Sequence, residues 1–560
     1  MILGVKALFE FDCDFQLRLL ASMLILKATF NNCNAAARLG APVPPKWDEH
    51  MLRTTLTTGL SLLLLSTVGV TGCGDGGSAD PTGTGGTGAS SGPGGDGGTG
   101  GATGGSGGTG GMTPPGDVYE LESKFAPGQS AISYSGQTFR HALIESMKSY
   151  VGTLTMAIDG AGNPPQTQAE MVSALMYYHD FDDASSGADP HGVSTSPDPT
   201  QSTWADISSD KNLTSKLAGN DDVTDHQDWD GGGFVGWADV AIAQHGGAID
   251  SPEGLTMAFF NTLGWYVEDR INNGPQTEPG TTTPIGEVYV TAEGWDLSQL
   301  IQKFLLMSVA YSQGTDDYLD DDVADKGLLA ANTQDGDAPY TTLGHQWDEG
   351  FGYFGAARDY LAYTDQQIAD GDAIDTDMNG SIDLLAELNW GASTNAAKRD
   401  LGATEPTDYT LDAYTGFWMG RQLIHGAGDT LTDAEMTELS SYRDQAVEAW
   451  EAAIAATVVH YINATVADTE AIDGDPGNYG FLDHAKHWSE MKGFALGLQY
   501  NPRSKLSAAD FVQIHVLIGD RPVLATATPV ERQAYVTSLL AARDIFQTSY
   551  GLSAANVEGW

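Results

Sequence analysis

Cysteine is nearly absent from this chain, with 3 in 560 residues, at Cys13, Cys33 and Cys73. Nothing beyond Cys73 can therefore form a disulfide, a thiolate metal site or a cysteine nucleophile, and the long remainder must hold together by its core. Positive charge is the second shortage. Lys+Arg 26 against Asp+Glu 75 gives a formal net charge of -49. A field of that sign repels phosphates, which argues against nucleic acid as a partner. Several catalytic signatures are missing too. There is no His-Glu-x-x-His zinc-peptidase motif, no Gly-x-Ser-x-Gly elbow to present a nucleophile, and no phosphate loop with its lysine. The apolar run through 62–65 is too short and too poorly flanked to span a bilayer.

That same run belongs to an export signal. Met51-Leu52-Arg53, the apolar stretch, and then Val70-Thr71-Gly72-Cys73 have the basic, apolar and small-residue order of a secretory leader. Its last four residues match the lipobox of bacterial lipoprotein precursors. We expect Cys73 to be lipidated and to anchor the chain to a membrane, in the cell envelope and by preference the outer membrane, with the side unresolved. Residues 1–50 sit awkwardly before such a signal, and Met51 is the expected start. Residues 74–116 are glycine with Ser, Thr, Ala and Asp, a composition that buries too little to fold. They read as a disordered tether whose ends lie roughly 35–40 Å apart as a random coil.

Residues 117–560 form the expected acidic body. Apolar residues recur at helical spacing over 138–151, 166–178, 252–271, 297–311, 349–362, 383–399, 412–426, 432–466, 481–499, 507–518 and 529–548, with capping residues expected at 134–138. Strand signals are few, 286–291 being the best. The fold class expected is all-α, antiparallel helical bundles. The acidic clusters Asp221 and Asp222, Asp316 and Asp317, and Asp320 to Asp322 read as loop surface, as do His191, His226 and His245.

Two segments look like an internal repeat and suggest two pseudo-repeated halves. Gly344-His345-Gln346-Trp347-Asp348-Glu349 with Gly352-Tyr353, and His484 to Glu490 with Gly493-Phe494, share the pattern Trp-x-Glu-x-x-Gly-aromatic with an upstream histidine. His345 and Glu349 are four apart on a helix, and His484, His487 and Glu490 step by three, so neighbours share a face. Imidazoles and carboxylates converging from facing helices are how bundles build transition-metal sites. The competing reading is a buried polar seam of His–Glu hydrogen bonds with Trp347 and Trp488 as core. The glycines at 352 and 493 would permit close helix approach.

A separate motif runs Asp375-Thr376-Asp377-Met378-Asn379-Gly380-Ser381-Ile382-Asp383, with Glu387 following. Oxygen ligands at alternate positions, glycine at the sixth and an apolar residue at the eighth begin an EF-hand-type calcium loop. Position twelve is Ala386, and the glutamate comes one residue late. The expected ligands are Asp375, Asp377, Asn379, Ser381, Asp383 and Glu387, holding a structural calcium that orders the start of the next helix. The alternative is an acidic turn before that helix with no ion.

The run Tyr134-Ser135-Gly136-Gln137-Thr138, the His345–Glu349 segment and Ala396-Ala397-Lys398-Arg399-Asp400 resemble the bacterial lipoproteins of the domain of unknown function 4856 family. Its relatives look like imelysin-type proteins, which are helical, envelope-anchored and associated with iron acquisition. The imelysin motif Gly-x-His-x-x-Glu has its nearest match at Ala485 to Glu490, with alanine in the glycine position. The His345 segment carries Asp348 at the glutamate offset. The resemblance implies an iron- or copper-linked binding lipoprotein that assists a metal-uptake receptor or another envelope protein. The alternatives are a metal-dependent hydrolase or redox enzyme and a calcium-stabilised structural surface protein. The missing general-base motif and nucleophile favour binding over catalysis.

Overall fold

A computed structural model describes residues 118–160, 162–221, 223, 226–474 and 478–560. The expected leader, export signal with Cys73 and glycine tether lie outside the described residues. No helix among those described is long and apolar enough to cross a membrane.

The architecture is all-α. Its main helices are α1 (Ser135–Asp159), α2 (Gln168–His179), α3 (Pro252–Asn273), α4 (Leu297–Leu305), α5 (Thr342–Phe354), α6 (Gly391–Gly402), α7 (Tyr409–Gly426), α8 (Asp433–Asp473), α9 (Phe481–Gly497), α10 (Ala508–Ile518) and α11 (Pro529–Tyr550). The 286–291 segment is not a strand; among the described residues only isolated bridges occur, such as Val290 with Asp296. The helix expected over 383–399 begins only at Gly391, because 383–390 is spent on a turn and an extended stretch that buries Glu387. The first helix starts at Ser135, and Tyr134 supplies no side-chain cap.

α8 organises the body. Its 41 residues extend about 60 Å at 1.5 Å per residue. A reciprocal capping box starts it, with Thr432 and Glu435 each satisfying the other's backbone N–H. In its Ala/Val-rich middle Ala446, Val447, Ala453–Ala456, Val458 and Val459 are buried, and small side chains there let α6, α7, α9 and α11 pack around it. α9, α1 and α3 then pack around α4.

α4 does not stop at Leu305. It runs on through π-helical turns at Leu306–Tyr311 and Gly314–Tyr318. Nearly every residue from Leu297 to Asp320 is buried, including Gln302, Lys303, Gln313, Asp316, Asp317 and Asp320. The loop-surface expectation fails for those three aspartates. Asp316 and Asp317 sit on a buried helical turn and Asp320 just beyond its end, while Asp321 and Asp322 are exposed as expected. Asp222 lies outside the described residues.

Candidate functional site

The 375–387 loop is closed by its own polar groups. Asp375 accepts from the amides of Asn379 (2.9 Å) and Gly380 (2.8 Å), and Asp377 accepts from Asn379 N–H (3.0 Å). The curl needs left-handed backbone at Met378 (φ 58) and Gly380 (φ 92); glycine adopts it freely and methionine under constraint. Asn379 Oδ1 accepts from the amide and hydroxyl of Ser381. Glu387 lies under the loop. Its Oε1 accepts from Thr376 N–H, Thr376 O–H and Asp377 N–H, and its Oε2 from Asp383 N–H, at 2.8 to 3.2 Å.

The late glutamate therefore still reaches the ring, because 383–387 is a tight turn rather than the first turn of a helix. Asp375, Asp377 and Glu387 each offer an oxygen, all within 4.8 Å of one another. Among the described residues this is the one such group of three or more His, Cys, Asp or Glu. The donors are all hard oxygens, and like charges this close favour a hard cation between them. Asp383 is differently engaged: its Oδ1 accepts from Leu385 N–H and from Gln201 Nε2.

The loop is also fastened to a distant segment. Ile382, the apolar eighth position, exchanges backbone hydrogen bonds with Asp198 and Thr200 (3.1 and 2.7 Å). Thr200 and Ser381 share a hydroxyl contact, and the Gln201 amide bridges Asp383 and Leu384 N–H. Residues Asp198 to Gln201, between α2 and α3, are thus held by the loop.

The two repeat-like helices play parallel local parts. Trp347 and Trp488 are fully buried and donate to the carbonyls of Phe417 and Ile518. Glu349 accepts from Gln137 of α1 (2.9 Å), and Glu490 lies 3.4 Å from Lys303 of α4. A Cβ on Gly352 would stand 2.7 Å from Tyr134, and one on Gly493 2.7 Å from Lys303, so both glycines do permit close approach, each to a different helix.

The His/Glu pairs do not come together. His345 is 3.9 Å from Glu349, stacks on Tyr340 and bonds the Ser133 carbonyl. His487 bonds Asp468 of α8 (2.8 Å), a contact that outweighs burial and raises its pKa. Burial lowers His484 to about 4; it faces Thr469 and Tyr479. Each imidazole thus has its own partner on a neighbouring element.

Sequence reading missed three buried polar features. Asp348 pairs with Arg421 (2.7 Å) and accepts from Tyr119, all in the core. Glu451 accepts from Tyr311, Ser504, Lys505 N–H and Tyr550 at 2.7 to 3.0 Å. His226, expected at the surface, pairs with Asp316 (2.7 Å), and burial pushes that aspartate up to about 6. His191 is half-buried on the Gln201 carbonyl and His245 stacks on Trp265. Polar residues set inside an apolar helical run, such as Gln302-Lys303 in α4, were the available signal for enclosed polar groups.

Residues 261–381 match the model of a family described as domain of unknown function (DUF4856). That stretch spans α4, α5 and the first half of the carboxylate loop. No curated protein and no solved structure matches the chain.

Proposed function

We propose that this protein is an exported, lipid-anchored calcium-binding protein of the cell envelope, whose ion fastens surface segments of a helical body. One observation carries the reading: the convergence of Asp375, Asp377 and Glu387 oxygens within 4.8 Å on a glycine-turned loop. Oxygen-only donors suit calcium, and carboxylates gathered before the ion arrives lower the ordering cost of binding it. Anchoring rests on the Cys73 lipobox, and an export compartment rich in calcium suits both.

Transition-metal capture by the His/Glu helices is less well supported, because each imidazole is committed to its own carbonyl, carboxylate or hydroxyl. The test is metal content by plasma mass spectrometry on the full chain purified without chelator. Two variants accompany it, one with Asp375 and Asp377 changed to Asn and one with His345, Glu349, His487 and Glu490 changed to Ala. Calcium lost only in the first supports the proposal. Iron, copper or zinc lost only in the second supports metal capture instead.

A further inference from the structure

Asp359 is not part of the carboxylate loop, yet it stands against the glutamate that closes it. The segment carrying it is tied to the loop on either side of Asp359. Arg358 N–H donates to the Ala386 carbonyl (2.7 Å), and the Tyr363 hydroxyl donates to the Glu387 carbonyl (2.6 Å). Asp359 is only 6% exposed, and its Oδ1 has no hydrogen-bond partner. Burial raises its pKa, the Thr376 hydroxyl lowers it and the Glu387 charge raises it again, so both groups lie beside it. A buried carboxylate oxygen without a donor is costly.

A donor stands next to it but is in use. The Thr376 hydroxyl donates to Glu387 Oε1 (2.8 Å). A hydroxyl has one hydrogen, so while it serves Glu387 it does not serve Asp359. The two oxygens of Glu387 are unevenly loaded. Oε1 accepts from Thr376 N–H, Thr376 O–H and Asp377 N–H, whereas Oε2 accepts from Asp383 N–H. A carboxylate oxygen has about two lone-pair sites, so Oε1 has no site left for an ion. Calcium takes the closing glutamate of an EF-hand-type loop through both oxygens. A donor must therefore leave Oε1 as the ion arrives. The two amides are fixed in the backbone, while the hydroxyl leaves by a rotation of its own side chain.

We propose that Thr376 switches between two carboxylates, its hydroxyl donating to Glu387 in the ion-free loop and turning to Asp359 when calcium takes Glu387. The inference rests on the calcium reading above. Asp359 lies outside the group of carboxylates whose ligand atoms gather within 4.8 Å, so it is a positioning residue rather than a ligand. It strengthens binding by receiving the displaced hydroxyl and by losing its own orphaned oxygen in the same step.

The test is calorimetric titration of calcium into the full chain as parent, Asp359→Leu, Thr376→Val and the two combined. Leucine is close to aspartate in shape and offers no acceptor. Loss of the Asp359 charge weakens calcium binding whether or not the hydroxyl is present, so comparing the two backgrounds isolates the hydrogen bond. Asp359→Leu should weaken binding about tenfold more in the parent than in the Thr376→Val background. Should a variant not fold, crystals of the unaltered chain grown with calcium decide: a Thr376 hydroxyl within hydrogen-bond distance of Asp359 and withdrawn from Glu387 supports the switch. An equal effect of Asp359→Leu in both backgrounds, or a hydroxyl still on Glu387 Oε1 beside a bound ion, would overturn the switch and leave the calcium site standing. Absence of saturable calcium binding in the parent would overturn the calcium reading and the switch with it.

Discussion

Removing the Glu387 carboxylate should open the loop it underlies. Glu387→Ala takes the acceptor from three backbone N–H groups, at Thr376, Asp377 and Asp383, and from the Thr376 hydroxyl. A fully buried orphan costs about 1–3 kcal/mol, and water reaches the exposed Thr376 and Asp377, so each loss falls near the lower limit and the sum is about 3 kcal/mol. The Ile382 amide reports on this without being altered, since it donates to the Asp198 carbonyl only while the loop is closed. Every 1.4 kcal/mol is tenfold, so its hydrogen exchange should speed up about a hundredfold in chelator. Calcium at a hundred times its Kd should slow exchange in the parent by a further factor of about a hundred and leave Glu387→Ala unmoved. Equal Ile382 exchange in parent and variant would refute the reasoning, because the carboxylate would then not be what holds the loop.

Other perturbations test the surrounding framework. Gln201→Ala should leave calcium affinity within about threefold while speeding exchange at Thr200, since it cuts the bridge to Asp383 and Leu384 without touching the carboxylate ring; calorimetry and exchange on one sample separate the two. Arg421→Met should destabilise by about 3–5 kcal/mol in urea unfolding by stranding Asp348, and the double variant with Asp348→Leu should recover part of that. Gly493→Ala should cost about 1–3 kcal/mol, because its Cβ would meet the Lys303 stem. α9 carries two histidines of opposite sign. His487, raised by Asp468, adds stability that is fully present below its ordinary 6.5 and lost as pH rises through its folded pKa, whereas His484, lowered to about 4, removes stability as pH falls from 6.5 toward 4. Nuclear magnetic resonance titration should find His487 above 6.5, and Asp468→Asn should return it toward or below that value.

Periodicity made the helices legible in the sequence because burial on one face leaves a trace every three or four residues, and α10 and α11 begin and end almost where it placed them. It failed where burial was complete. Beyond Leu305 the π-helical continuation of α4 has no solvent face, so Asp316 and Asp317, which lie on it, looked like loop surface. The carboxylate loop was legible because alternate oxygens and a glycine are local features. Its tie to 198–201 and the reach of Glu387 depend on how 383–390 folds, which spacing alone could not supply. The repeat was visible as a pattern, yet the pattern served packing: each Trp, Glu and Gly repeats a local contact to a different neighbour, and the two sets do not meet.

The most direct test of the calcium reading is a calorimetric titration of calcium into the full chain after chelation, with the variant carrying Asp375→Asn and Asp377→Asn as comparison. The account predicts one saturable site in the parent, its loss in the variant, and slower Ile382 exchange on binding in the parent alone. Absence of a saturable site in the parent, or a site of equal affinity in both proteins, would contradict it.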